Sequence, residues 1–152
     1  MTKEELYNQA ARFRHAIEKA TDLDMFPIRD RMRRFPKDCC DDTADLFTHY
    51  IYVKFKKDSI RIDGRYNDKD GMVCGHSWQT IDGFVVDLTG DQFANDQSLR
   101  VKTVDIYVGP MDEFHKQFEI VRQEHSCGIM SLPNTCRERM NMLYDVITEC
   151  MQ

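Results

Sequence analysis

Gly75-His76-Ser77-Trp78-Gln79-Thr80-Ile81-Asp82-Gly83-Phe84-Val85-Val86-Asp87-Leu88-Thr89 is the stretch on which the fold turns. Its first seven residues and its last six each read as a strand, and Asp82-Gly83 between them is among the strongest short hairpin signals. A two-residue turn makes Ile81 oppose Phe84, Trp78 oppose Asp87 and His76 oppose Thr89. Side chains alternate along a strand, so His76, Trp78 and Asp87 share a face, with His76 and Asp87 as diagonal neighbours. A carboxylate in that position can hydrogen-bond an imidazole and orient it. That is two thirds of a thiol-nucleophile triad.

The third member would be a cysteine whose thiolate is stabilised. Phe35-Pro36-Lys37-Asp38-Cys39-Cys40-Asp41-Asp42-Thr43-Ala44-Asp45-Leu46-Phe47 reads as a loop entering a helix. Pro36 biases Phe35 away from helical angles. Asp38 is the expected N-cap, and Asp41 and Asp42 suit the positive end of a helix. A cysteine in the first turn lies against free backbone N–H groups, which favour the thiolate. The neighbouring acids act against it, so the histidine must supply much of the activation. Cys40 aligns with Thr43, Ala44 and Phe47, and Cys39 with Thr43, Leu46 and Tyr50. Helical geometry alone does not choose between them.

The order of cysteine, histidine on a strand and aspartate on the next strand resembles the transglutaminase-like branch of the papain-like cysteine fold. More narrowly, Phe35-Pro36-x-x-x-Cys40 before an amphipathic helix, His76-x-Trp78, and Asp87-Leu88-Thr89-x-Asp91-Gln92-Phe93 are similar to small bacterial proteins described as transglutaminase-like cysteine peptidases. The likeness runs from about residue 35 to 93, with a weaker echo at 104–109 and Phe114-His115. Where the family often has a small residue after the cysteine and a serine a few positions on, Asp41 and Ala44 stand here.

The resemblance implies Cys40 as nucleophile, His76 as base and Asp87 as orienting acid. It also implies an antiparallel sheet packed against helices, with the nucleophile at a helix N-terminus. The expected activity is that of a thiol hydrolase (amidase or peptidase) or an acyl transferase, working on a peptide or amide substrate through an acyl-enzyme, with no cofactor and no metal. Trp78 and Gln92 are candidate substrate contacts, Trp78 as a core or pocket-wall aromatic. A catalytically silent binding domain on the same fold is the alternative.

Composition fits one domain spanning 1–152, since 41% of the residues are hydrophobic and can fill a core. No run of eighteen apolar residues and no charged-then-apolar leader is present, so a cytoplasmic chain without a membrane span is expected. The net charge of −5 argues against general nucleic-acid binding. Arg29, Arg31, Arg33 and Arg34 form a local exception, read as a solvated face or as a docking patch for an acidic partner. Six cysteines without a leader read as reduced thiols. Cys74 and His76 share a strand face, but no C-x-x-C pair exists on which zinc sites usually build. No pattern specifies an oligomeric state.

The remaining periodicities predict a helix over Lys3–Ala20 with Leu6, Ala10, Phe13 and Ile17 inward and Thr2 as cap. They predict a connector from Asp22 to Phe35 with a short helix after Pro27, the Cys40 helix to Lys54, a strand over Ser59–Tyr66 and a loop over Asn67–Gly71. Further on come a strand over Val101–Val108, a helix over Met111–Gln123, a loop over His125–Pro133 and a closing helix over Asn134–Met151. Helices before and after an antiparallel sheet make an α+β domain.

Overall fold

Helix α1 (Lys3–Asp22) starts at a reciprocal cap. The Thr2 hydroxyl accepts from the Glu5 N–H, and the Glu5 carboxylate accepts from the Thr2 N–H at 2.7 Å. Its apolar stripe of Leu6, Ala10, Phe13 and Ile17 is buried, as the spacing predicts. The computed structural model describes all residues from 1 to 152.

Helix α2 (Cys40–Phe55) differs from a one-sided surface helix: every residue from Asp42 to Ile51 is buried. Its N-cap is Cys39 and not the expected Asp38, which turns outward at φ 61° and pairs with Arg34. The acids of the first turn are held by cations instead. Asp42 accepts from Arg31 at 2.5 Å and from Arg139 at 2.9 Å. In the arginine-rich segment, Arg33 pairs with Asp24 and Arg34 with Asp38 around a single 3₁₀ turn over Arg31–Arg34, while Arg29 is exposed without an ion-pair partner.

Five antiparallel strands follow: β1 (Ser59–Asn67), β2 (Val73–Ile81), β3 (Phe84–Asp87), β4 (Tyr107–Gly109) and β5 (Glu119–Ser126), in the order β4-β3-β2-β1-β5. The β2–β3 hairpin has the predicted register, Ile81 against Phe84 and Gln79 against Val86. Asp82 and Gly83 have φ of 49° and 84°, the pair of positive values a type I′ turn requires. Helix α3 (Asn134–Cys150) closes the chain. One face of the sheet, with Ile81, Val86 and Val108, packs on the helices. The other face carries Ile62, Trp78 and Val85 and is covered by Phe93, Leu99, Phe114 and Phe118 from the segment between β3 and β5. The architecture is α+β. No helix is long and apolar enough to cross a membrane.

Two expected elements are overturned. Of the strand expected over Val101–Val108, only the end pairs, with β3. The Gln117 side-chain amide satisfies the Val101 N–H at 3.1 Å and C=O at 2.9 Å in place of a neighbouring strand. The helix expected over Met111–Gln123 is a 3₁₀ turn at His115–Gln117 followed by β5. Phe114 and Phe118 have helical spacing and are both buried, which made the sequence read as helix. From Glu119 onward, however, the free edge of β1 offers backbone partners, and Asp63 pairs with Arg122 and Ile62 with Gln123. β5 is itself an edge strand: nothing pairs with its outer side, and Glu119, Ile120, Val121, Arg122 and Glu124 are all exposed.

Candidate active site

The hairpin delivers the first contact. His76 Nε2 lies 2.7 Å from Asp87 Oδ2, and neither side chain has any exposed surface. The other carboxylate oxygen accepts from the Thr89 N–H at 2.9 Å, so the acid is aimed by its own backbone two residues on. Gly90 makes this approach possible, because a Cβ there would stand 2.8 Å from Asp87 Oδ2.

Burial separates the two cysteines. Cys39 is fully buried, and burial followed by the nearby Asp42 charge pushes its thiol up to about 12. Its sulfur lies 3.9 Å from Thr43 Oγ1 inside the core. Cys40, one residue on, is half-buried in the first turn of α2 and lines an open groove with Gly64, Gly75, His76, Ser77 and Gln92. The first helical bond runs from the Thr43 N–H to the Cys39 C=O, which leaves earlier N–H groups without an intrahelical partner.

The imidazole feels opposing influences. Burial pulls His76 down, but the Asp87 carboxylate outweighs it and, with the Cys40 thiol, raises His76 to about 9. Burial pushes Asp87 up, while His76 and His115 together hold it well below the usual carboxylate range. At neutral pH the pair is therefore an imidazolium on a carboxylate.

Gln92 reaches the groove beside Cys40 and His76. It sits on a 3₁₀ turn over Gly90–Phe93, with Nε2 3.4 Å from His76 Nδ1. Trp78 does not. Among the two candidate substrate contacts it alone is core, fully buried behind His76 with ring centroids 5.5 Å apart. The hairpin parity that puts Trp78 on the histidine face also puts it beneath Phe118.

One participant is absent from the sequence reading. His115 Nε2 lies 2.9 Å from the same Asp87 Oδ2, and its Nδ1 lies 2.5 Å from Asp112 Oδ1. Its only sequence signals are the i, i+3 spacing to Asp112 and the weak Phe114-His115 echo. His76, Asp87 and His115 could in principle hold a metal through three donors. An ion about 2.0–2.1 Å from each would need donors about 3.3 Å apart. Here both nitrogens already touch one oxygen, and Trp78, Phe93, Phe114 and Phe118 wall the cluster. The arrangement fits a hydrogen-bonded line from Asp112 through His115 and Asp87 to His76, which shares the groove with Cys40, better than a coordination site.

Chemically, the groove joins an accessible thiol, a charged imidazole that can give a proton, and free N–H groups that can receive a developing oxyanion. No protein-family model, curated protein or solved structure matches the chain.

Proposed function

We propose that this chain is a thiol hydrolase or acyl transferase of the transglutaminase-like, papain-like type, acting on a carboxamide or peptide bond. The observation that carries the reading is the buried Asp87 holding His76 at 2.7 Å while His76 and the half-buried Cys40 line one groove. The Cys40 thiolate attacks the acyl carbon, a C–S bond forms, and the carbonyl oxygen becomes an oxyanion facing the first-turn N–H groups. Gln92, lining the same groove, offers its Nε2 as a side-chain donor for the same oxygen. His76 gives its proton to the leaving nitrogen as the C–N bond breaks, leaving a thioester. Neutral His76 then takes a proton from water, the resulting hydroxide adds to the thioester, and the C–S bond breaks to release the acid. An amine in place of water gives transfer. Asp87 keeps Nε2 engaged, so Nδ1 is the nitrogen left to exchange the proton.

The test is iodoacetamide labelling at pH 6, mapped by mass spectrometry, together with ammonia release from glutamine-containing peptides. Cys40 is expected to label faster than the exposed Cys136, and H76A to slow Cys40 alone. Equal rates for Cys40 and Cys136, unchanged in H76A, would overturn the reading and favour a silent binding domain.

A further inference from the structure

The β1–β5 ladder ends at the pair Ser59–Ser126, next to Ile60–His125. One step beyond, Asp58 faces Cys127. Residues opposite each other in an antiparallel pair share a face, so Asp58, His125 and Cys127 project together from the end of the sheet. His125 Nε2 lies 2.7 Å from Asp58 Oδ2, and Cys127 Sγ lies 3.8 Å from Asp58 Oδ1. These three donors all fall within 4.8 Å of one another.

We propose that Asp58, His125 and Cys127 form a binding site for one divalent cation of the zinc class, with a fourth position open to water. One thiolate, one imidazole and one carboxylate suit a borderline ion, whereas magnesium and calcium take oxygen donors. Tetrahedral coordination places such donors about 3.3–3.5 Å apart. The sulfur stands 3.8 Å from Oδ1 and the imidazole nitrogen 2.7 Å from Oδ2, so the carboxylate must turn to offer one oxygen and the nitrogen must move out by about half an ångström. The widening is easy here because the His125 and Asp58 side chains are 64% and 51% exposed. No lysine or arginine pairs with Asp58. The chain leaving the site is held at backbone level: the Cys127 N–H donates to Ser131 Oγ at 2.8 Å and the Gly128 N–H to Ser126 Oγ at 3.0 Å. Binding converts the Cys127 thiol to a metal thiolate and releases one proton to solvent.

The experiment is titration of the full chain with cobalt(II), read by absorbance, then displacement by zinc(II). One equivalent is expected to give a thiolate-to-cobalt charge-transfer band and tetrahedral visible bands, both abolished by added zinc. C127S removes the charge-transfer band, and D58N and H125A each weaken affinity by about tenfold or more. C40A and H76N leave the spectrum unchanged. Absence of the band in the wild type, its persistence in C127S, or its loss in C40A would each overturn the site.

Discussion

Two histidine–aspartate pairs lie on the same face of this sheet, each closed at 2.7 Å, His76–Asp87 under the covering segment and His125–Asp58 beyond its end. The first pair has no exposed side-chain surface and the second is more than half exposed. In the first, water cannot screen the charges, so their attraction moves both titrations and the aromatic wall fixes their positions. In the second, solvent screens the attraction, which is worth about 0–1 kcal/mol, and the side chains are free to rearrange around an ion. Contact distance is the same in both; surroundings make one a rigid device for holding a proton and the other an adjustable donor set.

The largest expected effect tests that contrast directly. D87A leaves two histidines buried without their carboxylate and should cost about 3–5 kcal/mol in urea unfolding, whereas D58A should cost less than about 1 kcal/mol. Similar losses at both sites would erase the distinction.

Removing the second histidine should have an intermediate effect. H115Q deletes a buried bond to a charged group and should cost about 1.5–3 kcal/mol. As a positioning residue, His115 has a further signature that packing alone would not produce. With one donor fewer on Asp87 Oδ2, the carboxylate holds the His76 proton harder, so the alkaline limb of Cys40 labelling should move to higher pH. A limb that stays where it is would reduce His115 to packing.

The pH dependence of stability is a third test. His76 binds its proton more tightly in the folded chain, at about 9 against an ordinary 6.5. Its contribution is therefore complete below about pH 6.5 and is lost as the pH rises through 9, by at most about 1.4 kcal/mol per pH unit. D87N should flatten that decline while H125N leaves it intact. Asp87 is shifted the other way, so its contribution is present above its ordinary 3.8 and is lost as the pH falls below it.

The smallest effect separates the adjacent thiols. C39A should cost about 1 kcal/mol, within the common range for a point mutation, and keep electrophile labelling. C40A should be close to neutral for stability and lose that labelling. Labelling lost only in C39A would reverse the assignment.

What the sequence displayed and what it hid divide along the range of the interactions. The Asp82-Gly83 turn fixes the β2–β3 register within a few residues, and that register alone brings His76 to Asp87. The Thr2–Glu5 cap of α1 is equally local. The strand β5 was hidden because Phe114 and Phe118 imitate a helical stripe, while the backbone partners that decide the matter belong to β1, some sixty residues earlier. His115 was hidden for the same reason, since its bond to Asp87 spans 28 residues and depends on how the covering segment folds over the sheet. The Cys39/Cys40 ambiguity needed the whole core, which takes in one thiol and leaves the other at the groove.

The outer side of β5 bears on how many copies of this chain can share a solution. An unpaired strand edge is a template on which a second molecule can extend the sheet, and Ile120 and Val121 are the β-prone residues that would welcome it. Glu119, Arg122 and Glu124 interrupt that edge with groups that resist dehydration. Self-association is thus restrained by three charged side chains, and neutralising them is expected to let this edge pair with that of a second molecule.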